Sequence, residues 1–262
     1  MTDWLDWPFF DDEHRKLARE LEAWCAEALS DAPHGDVDEA CKKLVGQLGE
    51  GGWLEYCVGE TATAGVTGGI DVRSLAIIRS TLAKHSGLAD FAFAMQGLGS
   101  GAISLFGNDD QKNAWLVRVA DGWAIAAYAL TEPETGSDAA NIAMRARRDE
   151  DDWVLTGEKS YISNGTIADV LTVFARTGST EDGARGISAF IVRADDPGLA
   201  VTERIEVIAP HPLARLKFDG VRAELLGTEG EGFKVAMQTL NLFRVTVGAA
   251  ALGLPGVRST RR

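Results

Sequence analysis

What most limits the folds open to this chain is a change of hydrophobic period at Trp123. Before it, apolar residues recur at helical spacing. Leu17, Leu21, Trp24 and Ala28 form one stripe and predict a helix over 12–29. A second helix is expected around 38–48, ending in the Gly49, Gly51, Gly52 cluster. A third starts at a capping Asp71, carries Val72, Leu75, Ile78 and Leu82, and is expected to stop at Gly87. Ala- and Leu-rich sequence keeps the helical character to Phe106, and Asp109 or Asp110 is expected to cap a short helix reaching Val119. After Trp123 the pattern turns β-prone, with apolar runs at Val170–Ala175 and Ile187–Val192. Ile142–Arg147, the acidic turn Asp149–Asp152 and Trp153–Thr156 read as a hairpin. Beyond Gly230 and Gly232 a helix returns, with Phe233, Ala236, Met237, Leu240, Phe243 and Val247 on one side, until a tail from Gly253 to Arg262 breaks it. The reading is α+β: a helical domain over 1–122, a mostly β domain over 123–230, and a helix with its tail over 231–262.

Charge and composition narrow the function classes. A formal net charge of −13 argues against a nucleic-acid or membrane-surface partner, because both draw affinity from clustered Lys and Arg. It permits an anionic ligand held by locally placed arginines or turn amides. The 3 cysteines, Cys25, Cys41 and Cys57, lack the C-x-x-C arrangement and read as buried thiols. The 4 histidines are scattered without ligand spacing, so no metal site is expected. No apolar run is long enough to span a bilayer, and the aromatic, acidic N-terminus is unlike a signal peptide; a cytoplasmic setting is expected.

One segment gathers unusual chemistry. Tyr128-Ala129-Leu130-Thr131-Glu132-Pro133-Glu134-Thr135-Gly136-Ser137-Asp138 combines a β-like approach, a proline-fixed turn and a Gly-Ser-Asp step. Hydroxyls and turn amides in one corner suit the polar edge of a cofactor, since they donate to ring or phosphate oxygens without importing charge. By residue type alone, a plain surface turn contains the same residues.

The segment resembles the signature aromatic-x-x-T-E-P-x-x-G-S-D of the flavin-dependent acyl-CoA dehydrogenases. Further likeness follows in Gly157-Glu158-Lys159-Ser160-Tyr161-Ile162-Ser163-Asn164-Gly165, in Gly107–Lys112, and in Leu226–Phe233 leading to a helix with Arg244. The resemblance runs over nearly the whole chain. It implies an N-terminal helical domain, a middle β domain and the first helix of a C-terminal helical bundle. It implies FAD as cofactor, lined by Tyr128, Ala129, Leu130, Thr131, Gly136, Ser137, Tyr161, Ile162 and Ser163, with Tyr161 where many relatives carry Trp. It implies an acyl-CoA substrate contacted by Ser137, Asn241 and Arg244, an electron-transfer flavoprotein as acceptor, and assembly into homo-oligomers.

The resemblance also exposes a gap. In most of the family the base that removes the α-proton is a Glu late in the C-terminal helical domain, past the end of this sequence; in a minority it immediately precedes the arginine matched here by Arg244, where this chain has Phe243. No catalytic residue is carried over, and truncation or a frame change near Gly253 is the expectation, with impaired activity and assembly. Two rivals remain. Gly97-Leu98-Gly99-Ser100-Gly101-Ala102 satisfies G-x-G-x-x-A of nicotinamide enzymes, but its context is helical rather than βαβ. The other rival is a non-catalytic subunit of the same fold that binds flavin or a partner.

Overall fold

The computed structural model describes residues 3–30, 35–59, 69–150 and 152–254; the arginine-bearing tail expected after Gly253 lies outside them from 255 on. Helices α1 (Asp12–Ala28), α2 (Val37–Glu50), α3 (Glu55–Val58), α4 (Val72–His85), α5 (Gly87–Phe106) and α6 (Asp109–Ala120) come first. Strands β1 (Ala126–Ala129), β2 (Arg145–Asp149), β3 (Asp152–Ser163), β4 (Val170–Arg176), β5 (Ile187–Arg193), β6 (Leu199–Arg204) and β7 (Leu213–Leu226) follow, and α7 (Gly232–Gly253) closes the order. The fold is mixed α+β with the expected sequence of helical, β and helical parts.

Local chemistry explains most helix ends. Asp11 caps α1 by accepting from the amides of Glu13 and His14, and Asp71 caps α4 as its sequence context indicated. Two expectations are corrected. Ser86, with extended backbone, ends α4 and caps α5, so Gly87 opens a helix instead of stopping one. Asn108, not Asp109 or Asp110, caps α6, because its side chain and that of Gln111 satisfy each other's backbone amides in a capping box.

The strands close on themselves. β4 pairs with β5, β5 with β7, β7 with β3, β3 with β2, and one residue pair, Arg145 with Arg176, returns β2 to β4. β1 runs parallel to β4, and β6 lies along β7. β4 is buried along its whole length because its two faces serve two cores. Leu171, Val173 and Ala175 point into the barrel with Phe190, Val192 and Phe218, while Val170 and Phe174 meet the helices. This is why the run reads as continuously apolar.

The helices join the barrel through α5. Its buried Gln96 donates to the carbonyl of Ala124 at 2.8 Å and accepts from the amide of Ala126 at 2.8 Å, acting as a side-chain substitute for a neighbouring strand. The G-x-G-x-x-A run sits inside α5 as a packing seam and does not form the strand-to-helix loop of a dinucleotide fingerprint. A Cβ at Gly99 would stand 2.7 Å from the backbone of Ala126, and one at Gly97 or Gly101 would stand 2.6 or 2.7 Å from the ring of Phe243 on α7.

α7 buries most of the stripe its apolar residues suggest: Ala236 and Phe243 are buried, Phe233 and Met237 pack against the core and Leu240 is half-buried, so Val247 alone of the six departs. Val235, Ala236, Thr239, Phe243, Thr246 and Ala250 face inward, whereas Val247 is 56% exposed. Thr246 is drawn in because its hydroxyl accepts from Nη1 of Arg79 at 3.0 Å. That guanidinium is itself held by a two-point ion pair to Asp90 at 2.8 Å per bond, where α4, α5 and α7 meet.

Two glycines separate seam from surface. Gly99→Val is expected to lower the unfolding free energy by about 1–3 kcal/mol or more, through overpacking against backbone. Gly46→Ala, where an added Cβ meets nothing within 4 Å, is expected to raise it by about 0.5–1 kcal/mol, a helix-interior gain. Urea melts of both variants check the pair.

Candidate functional site

The corner after β1 and the end of β3 come together around a buried ion pair. Lys159 is 0% and Glu132 6% exposed. The Lys159 ammonium donates to Glu132 Oε1 and to the carbonyl of Leu130, both at 2.9 Å. The Glu132 carboxylate also accepts from the amides of Ala143 at 2.6 Å and Met144 at 3.0 Å. Next to it, the Ser160 amide donates to the carbonyl of Thr131 at 2.9 Å. Glu132 and Thr135 exchange both main-chain bonds and close the proline turn. Two segments distant in the chain are thereby fixed edge to edge.

The geometry of β3 depends on a bulge. Its register with β7 slips between Lys159 and Ile162, so Lys159 and Ser160 are both buried and Tyr161 is thrown outward, 63% exposed. Tyr161 holds φ at 57°, a left-handed conformation that costs a bulky residue on the order of 1–3 kcal/mol. Asn164 ends the strand, also left-handed and fully buried, with its side-chain amide donating to the carbonyl of Ala126 at 3.0 Å. Such strain persists only where the surroundings over-determine it, and here a buried ion pair on one side and Asn164 on the other do so.

Against this frame the expected site residues divide. Thr131, Gly136, Ser137, Tyr161 and Ser163 are at least partly accessible, and among the described residues the hydroxyls of Thr131, Ser137 and Tyr161 make no hydrogen bond. Leu130 is half-buried, and its carbonyl is taken by Lys159. Ala129 and Ile162 are buried, so only their main chain can face a ligand. Tyr128 turns away from the corner: its ring packs on Phe174 at 5.0 Å between centroids and its hydroxyl donates to the carbonyl of Ala236 on α7 at 3.2 Å. Asn241 and Arg244 stand on the exposed side of α7, and Arg244 forms no ion pair among the described residues. Phe243 is buried in the α5 seam.

Sequence reasoning missed Glu132 and Lys159 as a pair. The signal was present: one acid and one lysine sit inside two motifs whose other members are uncharged or exposed. The three thiols are buried as expected, and burial pushes Cys25 and Cys41 up to about 12 and Cys57 higher still.

Burial pushes the Lys159 ammonium down to about 8, against the opposing pull of Glu132. Between about 8 and the ordinary 10.5 the unfolded chain therefore holds more protons at this group than the folded one. Its contribution makes stability rise with pH across that window, and below it the burial cost is felt in full. Lys159→Met is expected to remove this slope from the pH dependence of urea midpoints. Lys159→Met and Glu132→Gln should each cost about 3–5 kcal/mol, and the double variant less than their sum, because a lone buried charge is worse than none.

Comparison with known proteins follows this geometry closely. Residues 11–123 match the family model described as acyl-CoA dehydrogenase, N-terminal domain, and residues 127–221 that of the middle domain. A probable acyl-CoA dehydrogenase of Mycobacterium leprae is 35% identical over 97% of this chain and 67% of its own length. A glutaryl-CoA dehydrogenase from Mycobacterium smegmatis, solved in complex with FADH2, superposes with a TM-score of 0.80 at 31% identity, covering 96% of this chain and 64% of that one. A chain of the structure described as the electron transferring flavoprotein of Acidaminococcus fermentans gives a TM-score of 0.80 at 29% identity, covering 93% and 65%. The chain thus spans about two thirds of the length of these relatives.

Proposed function

The chain belongs to the acyl-CoA dehydrogenase family, and on that premise we propose that it supplies the flavin-facing surface for FAD-dependent α,β-dehydrogenation of an acyl-CoA thioester. The observation that carries this reading is the clasp of both signature segments by Lys159 and Glu132, which leaves the hydroxyls of Thr131 and Ser137 without a hydrogen bond among the described residues and the ring of Tyr161 outward.

Those groups fit a flat, polar-edged ring system. Thr131 and Ser137 can donate to ring nitrogen and oxygen atoms, and the exposed Tyr161 ring offers an apolar face with a polar tip. Bound there, FAD would supply the two-electron acceptor for a hydride from the substrate β-carbon. The chain's own part is to bind, to orient and to keep charge out of the corner's floor. The one buried acid there, Glu132, is neutralised by Lys159 and two amides, so it cannot take the α-proton. Phe243 is equally unable to do so. Ser137 and, on α7, Asn241 and Arg244 are assigned to the acyl-CoA ligand; the exposed guanidinium of Arg244, whose Nε donates to the Leu240 carbonyl, keeps its terminal nitrogens as donors for phosphate or amide oxygens.

An electron-transferring flavoprotein is the proposed acceptor, a reading supported by the family and by the Acidaminococcus fermentans neighbour. A cytoplasmic setting belongs to the same reading. α7 is apolar and long enough to cross a membrane, with a third of its most apolar window buried, and it packs through Thr239 and Phe243 against α5 and through Thr246 against α4.

The test is optical. Incubated with FAD and desalted, the chain is expected to keep a flavin absorption band, and Thr131→Val is expected to weaken retention roughly tenfold, the worth of one hydrogen bond of about 1.4 kcal/mol. Loss of all flavin from the wild-type chain would overturn the reading. Anaerobic addition of acyl-CoA is expected to shift the band with little bleaching, since the Glu132 carboxylate is tied to Lys159 and two amides and Phe243 has no carboxylate. Full bleaching would instead direct attention to the exposed Glu134.

A further inference from the structure

Arg176, the last residue of β4, has the largest fully buried side chain among the described residues, at 1% exposure. Among them no carboxylate forms an ion pair with its guanidinium, although, after the Ser179 hydrogen bonds, its charge helps hold the nearby Asp182 carboxyl below the usual range. The guanidinium donates to four main-chain carbonyls instead: Nε to Ile142 at 3.1 Å, Nη2 to Ala140 at 2.9 Å, and Nη1 to Ser179 at 3.0 Å and Gly183 at 2.9 Å. Burying a guanidinium is costly unless its donors are used, and of the four acceptors the Ile142 carbonyl, on a buried residue, would otherwise be short of a partner. A planar fork can span both sets; a lysine, with donors at a single point, cannot.

The carbonyls belong to two separate segments. Ala140 and Ile142 lie in and just after the short turn Ala139–Asn141, which follows Gly136-Ser137-Asp138 directly. Ser179 and Gly183 lie in the connection between β4 and β5, at the same end of the sheet. The amide of Arg176 also donates to the carbonyl of Met144 at 2.8 Å. The strip 140–144 is therefore gripped by opposite charges on alternating groups. Glu132 takes its amides at 143 and 144, and Arg176 takes its carbonyls at 140 and 142. Ser137 rides on the loop between these two anchors.

We propose that Arg176 is the positioning residue for Ser137: by holding segments 140–142 and 179–183 together it sets where the Ser137 hydroxyl meets flavin and thioester. This rests on the reading of Ser137 as a ligand-facing group. Arg176 touches no ligand itself. It acts through main-chain carbonyls, and its charge alone is insufficient, because what holds the loops is the spread of donors in one plane.

Arg176→Lys keeps the charge and removes the fork. Gly186→Ala keeps the arginine but puts a Cβ 2.8 Å from both Nη1 and the Ser179 carbonyl, forcing that donor and acceptor apart, and serves where the lysine variant fails to fold. In each, hydrogen exchange at the bonded amides of the gripped strip, Asn141, Ala143 and Met144, is expected to quicken at least tenfold, while the β4–β5 ladder stays protected. In the FAD-loaded chain the dissociation constant for an acyl-CoA, read from the shift of the flavin band, is expected to rise at least tenfold, with FAD retention changing less than threefold. Quickened exchange with an unchanged acyl-CoA dissociation constant overturns this role and leaves Arg176 a scaffold residue. Unchanged exchange in a folded variant overturns it as well. Failure of the wild-type chain to take up flavin overturns the functional reading and this role with it, so the two failures are told apart by the wild-type result.

Discussion

A lysine ammonium with no access to water dictates the shape of the candidate site. Lys159 needs a carboxylate and an acceptor within reach, since a charge buried without partners would not stay charged. Glu132 and the Leu130 carbonyl provide them, but only if β3 carries its bulge, the chain after β1 turns back through Pro133, and residues 143 and 144 lie alongside. Each condition also fixes an outward feature: the bulge expels Tyr161, and the turn presents Thr131 and Ser137. The surface available to a ligand is thus the reverse side of a buried electrostatic arrangement. Replacing such a pair by apolar residues can leave stability unharmed, so its value here lies in specifying one geometry.

The helical part serves the same end by close approach. Gly97, Gly99 and Gly101 let α5 touch both α7 and β1, and Gln96 and Thr172 stitch that contact with hydrogen bonds. A motif that in another context would cradle a pyrophosphate is used as three absent side chains. The physical difference is burial: inside a helix, amides are already spent on the i−4 carbonyls and none remain for an anion.

Legibility followed the range of the interactions. Asp71 as a cap, the helical stripe of α1, the doubly buried β4 and the hairpin of β2 with β3 are local patterns, and they could be read directly. Ser86 was hidden by the glycine beside it, and Asn108 and the aspartates after it are equal caps by residue type, so backbone conformation and the capping box with Gln111 decided. On α7 the expected apolar stripe holds up to Phe243, and Val247 alone turns outward while Thr246 is turned in by Arg79 and Asp90, partners on two other helices. Tyr128 belongs to a matched motif, but its ring lies against Phe174 rather than in the corner, which residue matching does not reveal.

By itself the sequence determined the order of helical and β parts, the two signature segments and hence the family, because these depend on periodicity and residue type along the chain. Tertiary structure alone decided which members of the signatures face outward and which are hidden. It joined Glu132 to Lys159 and Arg176 to four carbonyls, set Tyr161 on the surface and buried Phe243. The reason is that a buried charge chooses its partners by distance in space, and residues far apart in the chain become neighbours only once the barrel has closed.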